Sequence, residues 1–94
     1  MITLEHARTI GHILSVNFKV ISIHTLKKGM NVELEHGIDN VKTNVTNDDL
    51  IMTAKIALAH LAEYPDYYER LEKMERNAEK YWDGKRKPHI FKYN

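Results

Sequence analysis

The chain has 94 residues, 43% of them apolar and 29% charged, a balance that fits one globular domain and excludes wholesale disorder. Cysteine is absent and no apolar run is long enough to span a membrane, which excludes a disulfide framework, a thiol nucleophile, a thiolate-held metal centre and a transmembrane helix. The net charge of +1 hides an asymmetry: from residue 80 onward five bases face Asp83 alone, while the first 79 residues carry nine bases against twelve acids.

The opening residues, Met1 to His6, lack the charged and apolar regions of a signal peptide, so a reducing, intracellular location is expected. Thr3 can cap a first helix over residues 3–14, with Leu4, Ala7, Ile10 and Leu14 on one face. Val16, Phe18 and Val20 alternate with Asn17 and Lys19, which alone reads as a strand. No partner strand follows, so an extended connection that plugs the core is expected. Ser22 caps a second helix over 23–36, carrying Ile23, Leu26, Met30 and Leu34, with Gly37 as its left-handed end. Gly29 lies inside that helix at a cost of about 1 kcal/mol against alanine, which predicts a close helix contact there.

Residues 37–46 read as a loop pinned by isolated valines. Thr46 to Asp49 offer a cap and first-turn acids to a third helix, striped by Ile51, Ala54, Leu58 and Leu61. Leu58 is predicted to be fully buried. Pro65 suits a first helical position, and Tyr67, Leu71, Met74, Ala78 and Tyr81 run along a fourth helix at spacings of 4, 3, 4 and 3. Glu69 with Lys73, and Glu72 with Arg76, are expected to pair on its outer face. Gly84 and Pro88 break the pattern, leaving a tail.

Three stretches carry a resemblance: Gly29 to Gly37, Thr43 to Asp49, and Lys55 to Tyr68. Over residues 1–82 they resemble a small family of uncharacterised helical domains found in bacteria, phages and large double-stranded DNA viruses, most of all the marseillevirus-type versions. The resemblance implies motif residues at Glu33, Glu35, His36, Asn44, Asp49, His60, Glu63, Asp66 and Tyr67, and no known activity. Where that family usually has a small polar residue before the glutamate, this chain has Ala62.

Glu33 and His36 stand three apart on one helix, and His60 and Glu63 repeat the pair in reverse order on the next. Two imidazoles and two carboxylates converging from rigid helices could hold a divalent transition metal. No carboxylates from the other two helices complete a di-metal set, and His36 at a helix C-terminus suits the dipole and can cap carbonyls. Asn44 and Asp49 are expected to tie the loop to its own backbone. A structural network without cofactor is therefore expected, with a metal site as the alternative.

The end of the chain interleaves Lys80, Lys85, Arg86, Lys87 and Lys92 with aromatic rings, Trp82 among them. Such a segment can neutralise phosphates and stack on bases, lie on an acidic protein, or stay solvated with Tyr81 and Trp82 folded back. The sequence thus predicts an all-α domain of about four helices with one structured loop over residues 1–82, and a basic aromatic tail over 83–94. The function expected is a small binding or interaction module and not an enzyme, with a protein partner, nucleic acid as a second partner through the tail, and no membrane. The resemblance adds a packaged virion component in the host cytoplasm. A metal-binding protein or metal-dependent enzyme using Glu33, His36, His60 and Glu63 is the alternative.

Overall fold

The structure, a computed structural model, describes residues 1–38, 41–88 and 90–92, and of His36 the backbone alone. Four α-helices follow one another: α1 (Leu4–Ile13), α2 (Ile23–Glu33), α3 (Leu50–Glu63) and α4 (Tyr67–Trp82). The expected all-α architecture is the one found, with no strand among the described residues.

Local chemistry sets each helix start. The Thr3 hydroxyl accepts from the His6 amide, and His6 Nδ1 accepts from the Thr3 amide, a capping box with histidine in the usual glutamate's place. Ile2 just before the cap and Ala7 one turn in are both buried, the arrangement of a hydrophobic staple. Asn31 on α2 clips Ile2 in place, accepting from its amide at 2.8 Å and donating to its carbonyl at 3.2 Å. Ser22 caps α2 through the Thr25 amide, and Asp49 caps α3 through the Met52 amide at 2.8 Å. The helix opens only at Leu50, so Asp49 is its cap and neither Asp48 nor Asp49 lies in its first turn.

Several expectations are corrected. Residues 16–21 form a turn, because Ser15 takes a left-handed φ of 58° and the Asn17 carbonyl accepts from Val20 and Ile21. Val16, Phe18 and Ile21 still pack on the core, while Val20 is 76% exposed. The last turn of the second helix tightens to a 3₁₀ turn at Leu34–His36, and Gly37 is extended, not left-handed. A side chain there would meet the Asp48 carboxylate, which accepts from the Ile38 amide. The loop valines Val41 and Val45 are exposed, and buried Thr46 is what pins the loop. Pro65 lies before α4, whose cap is Asp66. Among the described residues Glu72 pairs with Arg76, but Glu69 and Lys73 form no ion pair. Leu58 is only partly buried, since Thr53, Ala54, Ala57 and Leu61 form the inward face of α3.

The core runs through Ile2, Ala7, Leu26, Met30, Ala54, Ala57, Leu61 and Tyr68. Helices α1, α2 and α3 pack on one another around it. Where α2 meets α3 and α4, Gly29 does what its position predicts: a Cβ would lie 2.6 Å from Tyr68 Cε2 and 3.2 Å from the Ala57 Cβ. Helix α4 reaches the body through Tyr67, Tyr68, Leu71 and Glu72, all in its first two turns. Its later turns project, and the radius of gyration is 15.0 Å, against about 12 Å expected for a chain of this length.

Candidate functional site

Two groups of sequence-selected residues can be placed. The first surrounds Glu33, the last residue of α2, which is 5% exposed. The Tyr68 hydroxyl donates to Glu33 Oε2 at 2.7 Å, and His60 Nε2 lies 3.8 Å from the same oxygen. The imidazole stacks on Tyr67, with centroids 4.3 Å apart and planes 8° from parallel, and Tyr67 meets Tyr68 edge-on. Burial, then the hydrogen bond to Glu33 and the charge of that carboxylate, push the Tyr68 phenol well above its ordinary range. One side chain from each of α2 and α3 and two from α4 thus lock three helices together. No buried side-chain polar atom among the described residues lacks a partner.

Of the four residues picked for a polar cluster, the structure brings Glu33 and His60 together. Glu63 is exposed at the last turn of α3, and the side chain of His36 lies outside the described residues. Among the described residues no three histidines, aspartates or glutamates converge as a metal site would need. Tyr68, the residue that completes the lock, was missed because it stands beside the apolar stripe of α4 and not on it. The signal that could have found it was Gly29, whose missing side chain had to make room for a large ring.

The other implied motif residues hold local structure. Asn44 Oδ1 accepts from the Asn47 amide at 2.8 Å, Asp49 caps α3, and Asp66 takes the Arg70 guanidinium at 2.9 Å. Glu35 borders a surface groove on the outer side of α2 with His24, Lys27 and Lys28.

The second group is the outer half of α4 and the basic segment beyond it. Met74 is 55% and Tyr81 60% exposed, although both continue the stripe that buries Tyr67 and Leu71 partly in the body. Gly84, with φ of +71°, turns the chain, and the Lys85 amide donates to the Trp82 carbonyl at 2.9 Å. Lys85 Nζ then sits 4.0 Å over the Tyr81 ring, and Tyr81 meets Trp82 edge-on at 4.8 Å. Half-buried Trp82 lines a groove of about 410 Å³ with Glu75, Ala78 and Glu79 of α4 and Lys87, Pro88 and Ile90 of the segment beyond it. Lys80, Lys85, Arg86, Lys87 and Lys92 are exposed. A third feature that the sequence did not suggest is an apolar groove of about 440 Å³ between residues 16–21 and the end of α3, lined by Val16, Val20, Ile21, Leu58, Leu61 and Pro65.

These features define a small helical domain with an internally satisfied polar lock and one projecting amphipathic helix. The chain belongs to the DUF5661 family of proteins of unknown function, whose match covers residues 7–77. No curated protein and no solved structure matches it significantly. The match stops short of Ala78, Tyr81 and the basic segment. No helix among the described residues is long and apolar enough to cross a membrane.

Proposed function

We propose that the protein is a non-catalytic interaction module that grips a protein partner with the outer half of α4 and the basic segment after it. The observation that carries this reading is the apolar stripe of α4, which continues two turns past the body with Met74 and Tyr81 more than half exposed. Exposed apolar side chains mark interaction surfaces when polar or charged groups rim them, as Lys85 does beside Tyr81. The involvement of Glu33, His60 and Tyr67 in holding helices together also supports a role without catalysis. The resemblance to large-virus versions extends the reading to an intracellular, packaged virion component.

The test is affinity capture from lysate of producing cells with the wild-type chain, with Met74→Ser/Tyr81→Ser, and with a chain cut after Asp83, each with and without nuclease. The reading expects a protein that survives nuclease and is lost with the double variant. Loss on nuclease treatment would turn the reading toward nucleic acid held by Lys85, Arg86, Lys87 and Lys92; equal capture by all three chains would overturn both. Melting with zinc, manganese or ferrous iron addresses the metal alternative. Tight binding would raise stability by about 2.7 kcal/mol at a hundredfold excess over Kd, and no such rise is expected. A rise that His60→Ala abolishes would favour a metal site.

A further inference from the structure

We infer that the partner surface recognised by α4 is an acidic amphipathic helix. This deepens the interaction reading above and rests on it. The spacing of Tyr67, Leu71, Met74, Ala78 and Tyr81 is a continuous heptad seam, the pattern to which another helix packs. The body covers the first two positions partly, Ala78 is half-buried in the groove it shares with Pro88 and Ile90, and, with Lys85 over one face of Tyr81, Met74 and Tyr81 are 55% and 60% exposed. Seven residues separate those two, about 10 Å along the axis at 1.5 Å per residue. That length takes two turns of a partner helix.

Charge selects the partner. Residues 80–92 hold five bases and Asp83 as their one acid, while Glu75 and Glu79 border the Trp82 groove beside the seam. A second copy packed in parallel along this seam would bring two such ends together, and like charges at close quarters are unfavourable; an antiparallel copy is read out by the sedimentation test below. An acidic helix gains from the same field, both in steering and in register.

The ring geometry separates a helix from a nucleic acid. Binding of single strands relies on open aromatic faces on which bases stack. Here the Lys85 ammonium already sits 4.0 Å over Tyr81. Trp82 stands at 88° to Tyr81 and is half-buried beside Pro88 and Ile90. The exposed thioether of Met74 offers nothing for a base to stack on, but it adapts well to the side chains of a packed helix.

The experiment titrates the full chain with three labelled peptides and an oligonucleotide, read by anisotropy and by the emission of the chain's one tryptophan. The first peptide is helical with leucines on an a/d stripe and glutamates beside it; the second is its scramble; the third carries lysines for the glutamates. The fourth probe is oligo-dT. The first peptide should bind best and weaken as salt rises, since exposed charge attraction is screened over roughly 10 Å at 0.1 M salt. Met74→Ser/Tyr81→Ser should reduce its affinity by about tenfold or more, on the order of one buried anchor residue. Lys85→Glu/Arg86→Glu/Lys87→Glu should shift preference to the lysine peptide. All these positions are exposed, so helix content by circular dichroism should stay unchanged. Tighter binding of oligo-dT, equal binding of the scramble, failure of every peptide, or Met74-dependent dimers in sedimentation would each overturn the proposal. If the peptides fail while lysate capture is still lost with Met74→Ser/Tyr81→Ser, the interaction module stands and only the partner's chemistry is wrong.

Discussion

Replacing Gly29 by alanine should destabilise the protein, although in an exposed helix the same change gains about 1 kcal/mol. The added methyl would lie 2.6 Å from Tyr68 Cε2 and 3.2 Å from the Ala57 Cβ. The ring has nowhere to go: it is 2% exposed and held by its 2.7 Å bond to Glu33. Overpacking a core costs about 1–3 kcal/mol, and disturbing a hydrogen bond to a charged acceptor about 1.5–3 more. After the propensity gain, a loss of about 1.5–5 kcal/mol remains. For a domain of this size that lowers Tm by at least about 6 °C. Thermal melts followed by far-ultraviolet circular dichroism measure it. In a Tyr68→Leu background the clash is relieved, so the same Gly29→Ala change should become neutral or favourable, a coupling that a double-mutant cycle reads directly. An unchanged or higher Tm for Gly29→Ala alone would refute the packing described at this contact.

Tyr68→Phe should cost about 1–3 kcal/mol at neutral pH by leaving Glu33 short of its donor. The folded state holds the Tyr68 proton that an unfolded chain releases near pH 10.0, so this stability is fully present below that pH and is lost as pH climbs above it. Urea titrations should show wild type losing stability faster than Tyr68→Phe above that pH, by up to about 1.4 kcal/mol per unit; parallel slopes would contradict the raised phenol. Leu61→Ala should cost about 2–5 kcal/mol, as for a buried leucine, and Leu58→Ala clearly less, because Leu58 is only partly buried; equal costs would mean that Leu58 is as deeply packed as Leu61. Ser15→Gly should raise Tm by a few degrees, since a left-handed serine costs about 1–2 kcal/mol and the glycine gives back only about 0.5–1 in unfolded-chain entropy; a lower Tm would show that the Ser15 side chain has a role of its own.

Helix number and order were legible because each element carries a cap and a 3.6-residue stripe: Thr3, Ser22 and Asp49 all cap as their residue types predict. What periodicity could not settle was depth. Helix α3 approaches its neighbours through Ala54 and Ala57, with Ala57 facing Gly29 of α2, so the small residues are inside and Leu58 is pushed to the rim. Alternation misled at residues 16–20, where the left-handed Ser15 and the Asn17 carbonyl make a turn that no propensity announces. The polar cluster was half legible. Glu33 and His60 were picked for their spacing, yet spacing within one helix says nothing of what a second helix presents, and Tyr68 comes from a third.

Glu33 belongs to α2 but is dried by α4. With α4 detached, its carboxylate and the Tyr68 hydroxyl would both return to water. Docking must therefore outweigh a dehydration that amounts to several kcal/mol for an ion before pairing. The attachment has few side chains to do so: Tyr67, Tyr68, Leu71 and the surface pair of Lys28 with Glu72. Amide hydrogens of α4 should then exchange through a sub-global opening that leaves α1, α2 and α3 packed, well before the protein unfolds as a whole. A partner holding the outer half of α4 acts at the free end of that hinge. Its binding energy reaches the body only through the Tyr68–Glu33 contact and its neighbours, so the strength of this joint sets how firmly a captured partner is oriented.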